Sequence, residues 1–395
     1  MKSTWVKDAV KLLLYRLVYW LVKCVPATPR GRRLLLVKTD EIGDYILLRN
    51  LLPLFKQSER FRDYQVTLVG NEVFRQLFEA CDAGAVDNVI WINKKKFRSG
   101  LLYRYRLLKQ IRQSGASVAV NLVYSRLFRF DDGIVGVSTA VERIAMAHND
   151  RHTTLAERRL SPRNVYTVLI AGGEDRLFDA CRNARFIGQL LQLPAAPPAS
   201  TRLACTEDIS WRKLPAGYFV VFPGSGIPSK KWPPAAFAAV ARHVKNTYGL
   251  EPVVCGGPGD RADADRFMAA YGGPVIDLAG QTSLLQFLAV LSGSRFLVSV
   301  DTGSVHLAAA VGCPVFALFS GLHYGRFSPY PMEIAPHFFP VYPDDIDKMR
   351  AMPGSYDFYT VPIDALKDIP PGKLVESIDK NLPDLLHGRV YLPVC

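Results

Sequence analysis

No two cysteines in this 395-residue chain stand in Cys-x-x-Cys spacing. The seven that occur (Cys24, Cys81, Cys181, Cys205, Cys255, Cys313 and Cys395) are scattered, which argues against a zinc ribbon or a disulfide framework and for a reducing compartment. No apolar run is long and clean enough to span a bilayer. The nearest, residues 5–25, is broken by Lys7, Asp8, Lys11, Arg16 and Lys23. It also lacks the uninterrupted core and small-residue cleavage site of a secretory signal. The Gly-x4-Gly-Lys-Ser/Thr spacing of a Walker loop is absent. The net charge of +13 calls for an acidic partner or surface. With no helix-turn-helix or RNA-binding signature beside it, nucleic acid is not the expected partner.

What is present is a chain that is 49% hydrophobic and long enough for two domains with sizeable cores. Strand-like runs at 34–37, 65–69, 89–92 and 117–122 alternate with helical patterns at 46–55, 73–80 and 101–114. A second series places strands at 218–222, 252–255, 275–277, 296–300 and 314–319. Helices at 235–248, 261–270, 284–291 and 305–311 lie between them. Such alternation predicts an α/β fold of two Rossmann-like domains with parallel sheets covered on both faces. The Pro/Ala-rich stretch 193–200 reads as the linker. The expected organisation is a basic N-terminal helix (1–30), a first domain (31–192), the linker, a second domain (201–330) and a tail (331–395). The tail holds a possible crossover helix near 373–381. On a helical wheel Val6, Ala9, Val10, Leu13, Leu17, Trp20 and Leu21 share one face, with Lys7, Lys11, Tyr15 and Tyr19 on the other. That pattern suits the plane of an anionic membrane; packing on the protein's own domain or on a partner subunit is the alternative.

Two segments carry chemistry. The strand ending at Val300 runs into Asp301-Thr302-Gly303-Ser304 and then a small-residue helix. Thr302 or Ser304 can cap that helix, Gly303 lets a ligand reach the backbone, and the first-turn N–H groups make an anion site. His306, about one turn in, is placed to donate to the same anion. Upstream, the strand 218–222 leads into Pro223-Gly224-Ser225-Gly226-Ile227-Pro228-Ser229-Lys230-Lys231-Trp232-Pro233. This is a glycine turn with hydroxyls and cations before a helix, the parts of a phosphate cradle.

These motifs, with Gly256-Gly257-Pro258-Gly259-Asp260, Asp277–Ser283 and Leu34-Leu35-Leu36-Val37-Lys38-Thr39-Asp40-Glu41-Ile42-Gly43-Asp44, resemble the ADP-heptose:lipopolysaccharide heptosyltransferases, glycosyltransferase family 9. The resemblance runs from about residue 33 to 330 with the motifs in the family's order. It implies the GT-B architecture, with the ligand in the cleft between two domains. The implied activity is metal-independent, inverting transfer of a sugar from a nucleoside diphosphate sugar, ADP-heptose above all. The acceptor would be a lipopolysaccharide core or related glycolipid, at the cytoplasmic face of the inner membrane.

On that resemblance Lys230 is the phosphate cation. Ser225, Ser229, Thr302, the Gly303 backbone and His306 complete the donor site, and Asp301 meets the sugar hydroxyls. Asp260 stands where relatives carry a ribose-binding Glu, and Asn121 where they carry Asp, so both are departures. Asp44 is the expected base, removing the acceptor's proton; its alternative is a helix cap. Asp40 and Glu41 beside it would raise its pKa. The adjacent pairs Asp131-Asp132 and Asp344-Asp345 lack Asp-x-Asp spacing and read as loop residues, so neither a metal site nor a cofactor is expected. Two other classes stay open: a GT-B transferase or epimerase using another nucleotide sugar, and a non-catalytic nucleotide-sugar-binding protein.

Overall fold

A computed structural model of the chain describes residues 2–147, 154, 157, 164–174, 176–204, 207–351 and 363–387. The Val6 and Lys7 side chains, Cys205 and Cys395 lie outside the described set; no disulfide links the other five cysteines to one another. The chain forms two compact units, Met1–Glu174 with Ala180–Ala199, and Asp175–Asp179 with Ser200–Cys395.

The first unit is built on six parallel strands: β1 (Arg33–Lys38), β2 (Gln65–Asn71), β3 (Asn88–Ile92), β4 (Val118–Asn121), β5 (Glu142–Met146) and β6 (Val168–Ile170). They lie in the order β3-β2-β1-β4-β5-β6, so the winding reverses between β1 and β4. Leu34, Leu35, Leu36 and Val37 are all buried, because a parallel sheet covered on both faces needs apolar residues at consecutive positions. The helices are α1 (Lys2–Lys23), α2 (Ile42–Ile46), α3 (Pro53–Gln57), α4 (Arg75–Cys81), α5 (Lys94–Ser99), α6 (Leu101–Gln113), α7 (Gly133–Val137) and α8 (Asp179–Leu190). The single helix expected over 46–55 is instead α2, a 3-10 turn at Arg49–Leu51, and α3. Pro53 has no N–H to continue a helix and begins a new one at its first position.

α1 settles on the unit through a face the helical wheel had treated as polar. Leu12, Tyr15, Val18, Tyr19 and Val22 are buried in one core with Leu107, Leu108 and Ile111 of α6 and Ile134 and Val135 of α7. The Tyr19 hydroxyl donates to Gly136 O at 3.2 Å, the Tyr15 hydroxyl donates to Arg98 O, and Arg112 Nε donates to Val25 O at 2.7 Å. The Arg104 guanidinium stacks 4.0 Å over the Tyr15 ring.

The second unit repeats the design with β7 (Tyr218–Phe222), β8 (Glu251–Val254), β9 (Ile276–Asp277), β10 (Leu297–Val300), β11 (Val315–Leu318) and β12 (Phe338–Val341). All are parallel, in the order β12-β11-β10-β7-β8-β9. Its helices are α9 (Pro234–Tyr248), α10 (Arg261–Tyr271), α11 (Leu284–Gly293), α12 (Gly303–Ala310), α13 (Asp344–Ala351) and α14 (Pro371–His387). Pro234 opens α9 and Gly249, at φ +68°, closes it in the left-handed conformation. The tail helix expected as a crossover packs on this same unit. Leu374, Ile378 and Leu382, spaced by four, are buried in one core with Phe237 and Phe316.

Candidate functional site

The motifs after β1, β7 and β10 follow the carboxyl ends of strands that flank a point where the winding reverses, while Gly256–Asp260 and Asp277–Ser283 lie at the ends of β8 and β9 farther out. In open α/β sheets the reversal is where ligands bind. The reversal in the second unit lies between β7 and β10, whose loops carry Ser225–Lys230 and Asp301–His306. After β7 the chain makes a 3-10 turn, Pro228–Lys230. Trp232 anchors it: the ring is buried edge-on to Phe237 at 5.0 Å, and Nε1 donates to Ile369 O at 2.9 Å. With that anchor set, the two lysines part company. Lys230 Nζ sits 2.6 Å from Asp301 Oδ2, and Lys231 Nζ sits 2.7 Å from Asp263 on α10.

Asp301 directly follows β10, its N–H donating to Leu318 O. Thr302 caps α12 with an extended backbone, but its hydroxyl makes no cap bond. It joins a chain of hydroxyls instead, Thr302 to Ser304 at 2.8 Å and Ser304 to Ser299 at 2.9 Å. Ser225 is buried and accepts from the Ile227 N–H at 3.2 Å; Ser229 is half-buried in the 3-10 turn. Lys230, Asp301, Thr302 and the start of α12 therefore meet at adjacent strand ends.

Two expected donor residues are held differently. His306 is buried, with Nδ1 2.7 Å from the Tyr330 hydroxyl and its ring edge-on to Phe327. Asp260 folds back on its own turn, Oδ2 accepting from the Gly257 N–H at 2.9 Å. It fills space that glycine leaves empty: a Cβ on Gly224 would come within 2.4 Å of its carboxylate, and one on Gly256 within 2.9 Å of its Cβ. Part of the glycine signal thus makes room for Asp260. Burial there raises its pKa.

In the first unit Asp44 lies on α2, just beyond β1. Its Oδ2 accepts from the Glu41 N–H at 3.3 Å, closing a capping box, so the cap geometry is present. α2 is pinned by a network the sequence reading missed. The Tyr45 hydroxyl donates to Asp82 Oδ2 at 2.5 Å, and Arg49 grips Asp82 with two nitrogens at 2.6 and 2.8 Å. Burial lifts Asp40 to about 8, with Asp44 repelling its charge and Lys38, 3.0 Å away, opposing the shift. Asp40 Oδ1 has no hydrogen-bond partner among the described residues. Asn121 is buried, its Nδ2 donating to the Tyr166 hydroxyl, which donates to Asp132 Oδ1, each at 2.6 Å.

The acidic pairs are not in loops. Asp131 and Asp132 end a helical turn, Phe128–Asp132, drawn inward because Thr39 donates to Asp131 and Arg126 pairs with Asp132. Burial raises Asp131 to about 6. Asp344 and Asp345 open α13, where Lys373 binds Asp344 at 2.7 Å. Two Asp-x-Asp spacings escaped the sequence reading, Asp263-Ala264-Asp265 and Asp345-Ile346-Asp347. Both lie on helices, where positions two apart point to different sides. Each is spoken for by cations: Asp263 by Lys231 and Arg266, Asp265 by Arg261, Asp345 by Lys348 and Asp347 by Lys373. No cluster of three metal-ligating residues occurs among the described residues.

Residues 183–335, which hold both strand-end motifs of the second unit, match the family model of glycosyltransferase family 9 (heptosyltransferase). This part of the chain is similar to glycosyltransferase family 9. Among relatives, lipopolysaccharide heptosyltransferase 1 of Salmonella typhimurium is 35% identical over 101 residues, 26% of this chain and 31% of the relative. Lipopolysaccharide heptosyltransferase 3 of Escherichia coli is 26% identical over 200 residues, 49% of this chain and 54% of the relative. The chain thus spans between 31% and 54% of these relatives' length. Structural likeness extends further. A family 9 glycosyl transferase from Veillonella parvula superposes with a TM-score of 0.64 at 18% identity, covering 90% of this chain and 98% of that one. E. coli heptosyltransferase WaaC with ADP gives 0.60 at 18% identity, covering 90% and 99%. The fold of the chain is the two-domain α/β GT-B fold.

Proposed function

We propose that this chain is a metal-independent inverting heptosyltransferase, moving heptose from ADP-heptose to a lipopolysaccharide-core or related glycolipid acceptor. The observation that carries the reading is the meeting of Lys230, Asp301 and the start of α12 at the carboxyl ends of β7 and β10. As the bond between the anomeric carbon and the diphosphate breaks, charge grows on the leaving phosphate. The Lys230 ammonium and the Gly303 end of α12 are fixed donors for it. The Ser225, Ser229 and Thr302 hydroxyls and His306 support the same group, Asp301 binds the sugar hydroxyls, and Asp260 lies on the nucleoside side. Asp44 takes the proton from the acceptor hydroxyl as its oxygen attacks the opposite face of the anomeric carbon. The products are a new glycosidic bond and ADP.

The names of the relatives support heptose and lipopolysaccharide as sugar and acceptor class. A glycolipid acceptor and the net charge of +13 support a reaction at an anionic membrane surface, which we read as the cytoplasmic face of the inner membrane. Release of ADP and glycosylated product from ADP-heptose with a lipopolysaccharide-core acceptor tests the reading. Turnover of a different nucleotide sugar only, or ADP binding without turnover, would replace it.

A further inference from the structure

With one face of α1 committed to the first unit, its opposite face is left exposed and wholly apolar. Val10, Leu13, Leu14, Leu17, Trp20 and Leu21 are each between 40% and 56% exposed. They form the largest such group of the chain's described residues, and their spacing runs them along one side of the helix through three turns. The borders of this stripe are basic. On one side stand Arg16 and Lys23, with Lys23 Nζ 5.6 Å over the Trp20 ring. On the other, Lys11 and Arg98 line a cavity of about 210 Å³ with Asp8, Leu12, Tyr15, Thr154 and Arg129, the last paired with Glu157 at 2.7 Å. No described helix is long and apolar enough to cross a membrane.

We infer that α1 is a fixed lipid-docking element: the tyrosine face stays on the protein while the leucine face enters the acyl boundary of an anionic leaflet. An apolar strip with cationic borders fits that occupant, because such a helix lies about 5–10 Å deep with its basic side chains among the phosphates. Trp20 and Lys23 mark the interface, an amphipathic ring beside a cation that reaches for headgroups. Removing the helix would uncover Leu12, Tyr15, Val18, Tyr19 and Val22, so membrane attachment here cannot be separated from the unit's own core by truncation. The inference rests on the membrane-surface part of the proposed function and specifies the residues that meet the lipid.

The test uses the full chain and phosphatidylcholine vesicles with and without phosphatidylglycerol. Wild type should co-sediment with the anionic vesicles only, and brominated lipid should quench a signal that Trp20→Phe removes. Leu17→Glu with Leu21→Glu should lower partitioning by at least roughly tenfold, given the apolar area withdrawn from lipid, with an unchanged melting temperature. Equal binding to neutral vesicles, unimpaired binding of the double variant, or a lipid-free dimer that the double variant dissolves would overturn the inference. Turnover of ADP-heptose on a soluble acceptor analogue is read separately. A protein that turns over but ignores anionic vesicles would remove the docking element alone, and one that docks without turnover would remove the transferase reading alone.

Discussion

Lys230 Nζ lies 2.6 Å from Asp301 Oδ2, joining the turn after β7 to the residue that follows β10. The two side chains are only 16% and 10% exposed, so the pair sits where screening by water is weak. A diphosphate at this place competes with Asp301 for the ammonium.

Lys230→Ala should weaken ADP binding by about 1.5–3 kcal/mol, the scale of one charge-assisted contact. Asp301→Asn should do the reverse, tightening ADP by removing the competing carboxylate, while lowering turnover. Calorimetric titration with ADP checks both. Unchanged affinity in Lys230→Ala would remove the lysine from the phosphate site, and weaker ADP binding by Asp301→Asn would make Asp301 a positioning group for Lys230.

Arg49, Tyr45 and Asp82 close a buried network that holds α2. Asp82→Ala leaves the Arg49 charge buried without its carboxylate. That should cost about 3–5 kcal/mol of stability, as other broken buried pairs do. Urea unfolding measures it, and a loss below about 1 kcal/mol, the scale of an exposed pair, would contradict the buried-network account.

Much of the fold is legible because consecutive apolar residues between glycine and proline turns, as in β1, β7 and β10, have few other uses. Three strands at or next to a sheet edge are not. β5 opens with Glu142 and Arg143, β6 has only three residues with Val168 and Leu169 exposed, and β12 contains Pro340. None of these shows a buried-strand pattern. For the N-terminal helix a wheel offers a membrane-facing or a protein-facing reading, because it divides the residues into one apolar and one polar side. Tyr15 and Tyr19 pack with their rings and hydrogen-bond with their hydroxyls, so the side counted as polar became the packed one. At the site, loops and hydroxyls are legible and partners are not. Lys230 and Asp301 are 71 positions apart and Arg49 and Asp82 are 33 apart, separations that no local spacing rule reaches.

Asp40 supplies a pH signature. Its carboxyl is raised by burial from 3.8 to about 8, so between those values the folded chain holds a proton that the unfolded chain releases. Stability therefore falls as pH rises through that window. Asp40→Asn, neutral in both states, escapes the loss. Its stability advantage over wild type should grow from about pH 4 to about pH 8 in thermal melts. A difference that does not change with pH would show Asp40 ionised in the folded protein.

Transfer should survive EDTA, since Lys230 and the N-terminus of α12 meet the leaving charge and the Asp-x-Asp carboxylates are paired with cations. A strict requirement for an added divalent ion in a product assay would contradict the metal-independent reading.

The central claim is tested most directly by the transfer rate of Asp44→Asn, measured with ADP-heptose beside ADP affinity and thermal stability. Asparagine keeps the size of aspartate and its ability to accept the Glu41 N–H, but it cannot take a proton. The account predicts a rate lower by roughly 10²–10⁴-fold, with the melting temperature and ADP affinity close to wild type. A folded Asp44→Asn protein that transfers heptose at the wild-type rate would contradict it and leave Asp44 as a helix cap.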